Sequence, residues 1–171
     1  MKSVFKKQLT SKFTKISTSI NLKIISSSKF IVLAPQEGLR LQSSPVRDLI
    51  FKVTGEDTGG AFDYFIVEVA LHGGPPLHVY HKQQVTIHVL YGKFKVRIGD
   101  DIFYCNEGDF AYLPSKVPNA FLNLTNEPDE IIVVYTPSGG HKFYEELRPL
   151  MHSGSPDKKV VGQLLEKFEM T

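Results

Sequence analysis

Acidic side chains are missing from the first 36 residues, where seven lysines (Lys2, Lys6, Lys7, Lys12, Lys15, Lys23, Lys29) stand without a counter-charge. The rest of the chain holds 13 basic against 18 acidic residues, a balance of about −5, so the overall +2 belongs to the leader. That balance excludes a basic nucleic-acid face on the folded part. Cysteine is nearly absent: Cys105 is the only one, so no intrachain disulfide forms and nothing points to an oxidising compartment. A lone cysteine on a β-patterned run reads as a small buried hydrophobe. No apolar run approaches the roughly 20 residues of a membrane-spanning helix, and the leader lacks the apolar centre of a secretory signal. Its hydroxyl-rich, acid-free composition suits an organelle transit peptide, but it has no arginine, which weighs against one. The expectation is an intracellular, cytoplasmic protein with a Lys/Ser/Thr-rich tail over residues 1–28, organelle targeting being the alternative. With no internal repeat, residues 29–171 are expected to form one domain.

What is present is a series of short β-patterned runs. Residues 49–54, 62–71, 85–91, 93–98, 102–105, 110–113, 120–124 and 131–135 are rich in β-branched and aromatic side chains. The run over 93–98 alternates cleanly, with Phe94, Val96 and Ile98 on its inner side. Glycine and aspartate punctuate the runs, as in Gly99-Asp100-Asp101 and in the turn-rich stretch from Gly55 to Gly60. Structure is expected to begin at 29–35, and the polar stretch from there to Asp48, broken by Gly38 and Pro45, is read as irregular. Regular spacing of short strands implies an all-β sandwich or barrel rather than a parallel α/β sheet. The period changes near the end. Residues 141–147 suit a short helix, and Ser155, Pro156 and Asp157 suit an N-cap, a first-position proline and a first-turn acid. Val160, Val161, Leu164, Leu165 and Phe168 then form one apolar stripe at helical spacing.

Two blocks stand out: Gly73-Gly74-Pro75-Pro76-Leu77-His78-Val79-Tyr80-His81 leading to Gly92, and the stretch from Gly108-Asp109 through Pro114 and Pro118-Asn119 to Asn123. Together with Thr54-Gly55-Glu56-Asp57-Thr58-Gly59-Gly60 they resemble the cupin superfamily, and more narrowly its small single-domain, quercetin-dioxygenase-like members. The resemblance implies a jelly-roll barrel (a double-stranded β-helix) with a short C-terminal helical segment, and a homodimer. In that family a His-x-His pair, a Glu and a third His hold a divalent metal at the barrel mouth, since alternate strand residues share a face. Here His78 keeps the first position, while Tyr80, Val85 and Asn119 stand at the other three. Asparagine offers a neutral oxygen and valine nothing. A phenol with a pKa of about 10 must lose its proton to ligate, which mainly trivalent iron achieves. His81 and His88 fall out of phase and read as surface histidines.

The leading expectation is therefore a cupin with a mostly lost metal site and no cofactor, binding a small apolar or aromatic metabolite through His78, Tyr80, Val85, Asn119 and Phe121. One alternative is a quercetinase-like dioxygenase keeping iron through His78, Tyr80 and a remodelled partner among His81, Gln83 and Gln84. Another is a structural or protein-interaction barrel whose mouth is filled by side chains.

Overall fold

The computed structural model describes residues 30–44, 47–152 and 157–171, and residues 31–171 form one compact unit. The leader expected over 1–28, Lys29, Ser155 and Pro156 lie outside the described residues. Among the described residues the elements run β1 (Leu39–Ser44), β2 (Arg47–Val53), α1 (Gly55–Thr58), β3 (Asp63–Val69), β4 (Gln84–Val89), β5 (Lys93–Ile98), β6 (Asp101–Asn106), β7 (Phe110–Leu113), β8 (Asn119–Asn123), β9 (Asp129–Thr136), α2 (Gly140–His152) and α3 (Lys158–Lys167).

Period-two alternation decides which side of each strand is buried. Phe65, Val67 and Val69 of β3, Val85, Ile87 and Val89 of β4, Phe94 and Val96 of β5, and Ile131, Val133 and Tyr135 of β9 all point into one core. A six-stranded sheet ordered β1-β2-β3-β9-β4-β7 faces a three-stranded sheet ordered β6-β5-β8, with every pairing antiparallel. From β4 onward the chain passes between the two sheets and back, which is the jelly-roll path. The all-β jelly roll with short C-terminal helices is the expected class, although its strands form two facing sheets rather than one closed ring. No helix among the described residues is long and apolar enough to cross a membrane.

Several local expectations change. Residues 39–44, read as irregular, form β1 at the sheet edge, where Leu41 is buried but Leu39 is 41% exposed. One buried apolar residue gives no visible alternation. The apolar run at 30–35 forms no strand, and Phe30 and Val32 are more than nine-tenths exposed. The stretch after Thr54 is a one-turn helix rather than a plain turn, and α2 runs past 147 to His152 with Pro149 inside it. Asp157 is the N-cap of α3, not a first-turn acid: its side chain accepts from Lys159 N. Of the α3 stripe only Leu164 is fully buried, and Val160 is 39% exposed.

The docking of α2 rests on Asp63, at the start of β3. This side chain has no exposed surface, and one of its oxygens accepts from the N–H groups of Gly139 (2.8 Å) and Gly140 (2.7 Å). The other accepts from Gly55 N (2.7 Å) and from Nδ1 of the buried His141 (3.1 Å). A carboxylate is the right group here, because the first N–H groups of a helix have no partner within it and carry the positive end of its dipole. Gly140 is also required sterically: a Cβ there would collide with the Tyr135 ring. We expect Asp63→Ala to cost about 3–5 kcal/mol, because it leaves several buried donors without an acceptor. Urea unfolding of the variant measures this, and a loss under about 1 kcal/mol would show that α2 docks without Asp63.

Candidate functional site

The segment carrying His78 and Tyr80 belongs to no named strand, yet it is held like one. His78 and Asn119 form a β-bridge, with His78 N donating to Asn119 O (3.0 Å) and Asn119 N to His78 O (2.8 Å). Gly74 lets this segment pass against β8, since a Cβ at its φ of 157° would strike the Phe121 carbonyl. Alternation survives: His78 and Tyr80 are buried, Val79 is half-buried and His81 is exposed. His81 reaches only the Thr171 hydroxyl (3.0 Å), His88 is exposed on β4, and Gln83 is buried while Gln84 is not.

His78, Tyr80, Val85, Asn119 and Phe121 line a single cavity between the sheets. His78 Nδ1 lies 2.8 Å from the Pro76 carbonyl. A carbonyl can only accept, so Nδ1 carries a proton. The His78 ring stands edge-on to Tyr80 at 4.7 Å. Asn119 Nδ2 donates to Val117 O (3.3 Å), and Val85 presents only its methyl groups, 3% exposed, between Tyr135 and Leu113. Two further residues complete the site. The Tyr80 hydroxyl bonds that of Tyr135 (2.7 Å), which in turn bonds that of Tyr144 on α2 (3.3 Å). Burial, reinforced by Tyr144 and Tyr80, pushes the Tyr135 phenol well above the ordinary value. The cavity is small, about 30 Å³, room for about two waters.

Tyr135 was legible as the next inward residue after Ile131 and Val133 on β9. Tyr144 was not, because its place depends on how α2 docks. Asn123, buried on the same strand as Asn119, is a loop clamp: it donates to Val69 O (3.1 Å) and Glu127 O (2.8 Å). Cys105 is buried as expected, and burial, with the Asp109 charge, raises its thiol above the ordinary range.

Residues 65–135 match the family model described as Cupin domain. The fold is that of a cupin. Among solved structures it is similar to KdgF from Halomonas sp. (13% identity, TM-score 0.57, covering 67% of this chain and 97% of that one). An RmlC-like cupin from Shewanella frigidimarina is also similar (13% identity, TM-score 0.56, 67% and 96%). So is the polyketide cyclase RemF from Streptomyces resistomycificus (16% identity, TM-score 0.55, 64% and 81%). At these identities the likeness extends to the fold. No curated protein matches the sequence.

The residues at the mouth do not fit a divalent metal. The four positions supply one imidazole, one phenol already bonded to Tyr135, one amide and one alkyl group. No carboxylate is among them, and no group of three or more His, Cys, Asp or Glu among the described residues is placed to hold a metal. The four positions nevertheless line one cavity. We expect Tyr80→His, Val85→Glu and Asn119→His together to create a site with His78 that binds Ni²⁺ far more tightly than the parent. Its affinity should weaken as pH falls through about 6.5, where imidazoles protonate. Equal uptake by variant and parent in calorimetric titration would show that these four positions do not converge.

The phenol chain has its own pH signature. Above about pH 10 the unfolded chain releases the Tyr135 proton while the folded chain keeps it, so stability falls as pH rises beyond that value. Urea unfolding across this range should show the fall, and Tyr135→Phe should flatten it.

Proposed function

We propose that this cupin binds a small neutral ligand, apolar or aromatic with a hydroxyl group, at the barrel mouth and without a metal. The observation that carries the reading is the convergence of His78, Asn119 and the hydroxyls of Tyr80, Tyr135 and Tyr144 on one otherwise apolar cavity. A plug is made at lower cost from leucine and valine, because each buried polar group must first be stripped of water. Aromatic walls with a few convergent polar groups are the composition of a small-molecule site. The donor set argues against the iron dioxygenase, which would need a second imidazole or a carboxylate where Tyr80 and Val85 stand. The same reading treats residues 1–28 as separate from the domain, and places the protein in the cytoplasm as a homodimer. Phe110 and Tyr112, 62% and 49% exposed on the edge strand β7, supply apolar surface for the dimer.

One observation favours the filled barrel instead: about 30 Å³ is far below the roughly 300 Å³ of an ordinary ligand pocket. Thermal shifts with small phenols and aromatic alcohols separate the two readings. A ligand at 100 times its Kd should stabilise the parent by about 2.7 kcal/mol. Asn119→Leu, similar in volume but unable to hydrogen-bond, should lose that stabilisation. If no compound shifts the parent and Asn119→Leu is as stable as the parent, the mouth is a plug.

A further inference from the structure

The last described segment lies across the barrel mouth. Along α2, Phe168 meets Phe143 edge-on (5.6 Å), and Lys167 pairs with Glu146 (2.6 Å) at the surface. Residues 169–171 then run antiparallel to the segment that bears His78 and Tyr80. Val79 N donates to Thr171 O (2.6 Å), Thr171 N to Val79 O (3.1 Å), and His81 N to Glu169 O (2.8 Å). Met170, only 6% exposed, points inward beneath this strap.

Under the strap is a second cavity of about 10 Å³, lined by Tyr80, Gln83, Tyr135, Phe143, Phe168 and Met170. Tyr80 and Tyr135 also line the first cavity, so this hydroxyl-bonded pair is the wall between the two. Gln83 is 8% exposed, and its Oε1 is buried with no hydrogen-bond partner. A buried acceptor left unpaired is costly. It also states the chemistry of what would satisfy it: a donor.

We propose that α3 with residues 169–171 is a lid, and that lifting it joins the two cavities into one pocket for a small aromatic alcohol or phenol whose hydroxyl donates to Gln83 Oε1. This rests on the small-molecule reading above and specifies its ligand and entry route. The ligand is neutral because no aspartate, glutamate, lysine or arginine lines either cavity. The lid can move because its anchors are few. Leu164 and Met170 are its two buried side chains, the Lys167–Glu146 and Lys82–Glu169 pairs are exposed, and the strap is held by a short row of backbone bonds.

Locking the lid tests this. Val79 and Thr171 exchange both backbone bonds, so their Cα atoms sit about 5.5 Å apart, within disulfide range. The full chain carrying Cys105→Ala, Val79→Cys and Thr171→Cys is titrated with 4-fluorophenol, followed by its fluorine resonance. The reduced protein should bind, the oxidised one should lose at least about tenfold in affinity, and adding Gln83→Leu to the reduced protein should lose about tenfold. Equal binding in both redox states would overturn the lid while leaving the small-molecule reading intact, and binding in neither would overturn the proposal. Hydrogen exchange on the unmodified chain gives an independent check. The amides of Val79, His81 and Thr171 should exchange together and much faster than those of Phe65 and Val133. Exchange as slow as in the sheets would mean that the strap opens only on global unfolding, and the lid would be abandoned.

Discussion

A carboxylate with no exposed surface, bonded by the start of α1, the Gly139 loop and the first turn of α2, fixes where α2 can sit. Asp63 lies on β3, in the middle of the larger sheet, so the helix inherits the position of the sheet. Its charge and the helix dipole act in the same direction, and charge-assisted bonds of this kind are stronger than neutral ones. Phe143, Tyr144 and Leu147 are then delivered to the core as a set, with Phe51 and Phe65 packed against Tyr144. The third phenol of the mouth is thus placed by a carboxylate that does not line the cavity.

At the mouth itself, hydrogen bonds join the His78 segment to its neighbours. A metal would tie the His78 segment, β4 and β8 through one ion. Here the His78 segment is tied to β8 by two backbone bonds and to β9 and α2 by a chain of three phenols. Each neutral bond contributes only about 1 kcal/mol net, and Val85 contributes packing alone. The protein contacts at the mouth are therefore several, weak and separable. Contacts of this kind can break one at a time.

Most of the sheet was legible because its residues obey a local rule. The run over 93–98 alternates, and the structure makes it β5 with Phe94 and Val96 wholly buried. His78, Tyr80, Val85, Asn119 and Phe121 were found by resemblance, and the structure brings all five to one cavity. What escaped is what depends on partners far away in sequence. β1 is a strand because β2 pairs with it, not because its own residues alternate. Asp63 and His141 are 78 residues apart, and nothing near either announces the other. Gln83 was read beside Gln84 and His81 as a candidate partner in a remodelled turn, and its burial distinguishes it from Gln84.

Volume and chemistry pull in different directions at this mouth. The polar groups converge as in a binding site, yet the space between them holds about two waters. A single rigid state would leave this unexplained, since a site too small for a ligand gains nothing from carrying its recognition groups. Two states remove the conflict, provided they differ by no more free energy than a ligand can supply. The closed state already carries a handicap in the unpaired oxygen of Gln83, and the strap that maintains it is fastened mainly along one edge, beside Val79 and His81. Opening would break those few backbone bonds, whose groups water can satisfy, and expose Met170 and Phe168. The phenol chain need not break with the strap, because Tyr80, Tyr135 and Tyr144 all lie on other elements. On the proposed reading, recognition groups and closure therefore sit on separate parts of the fold, and one could move while the other stays in place.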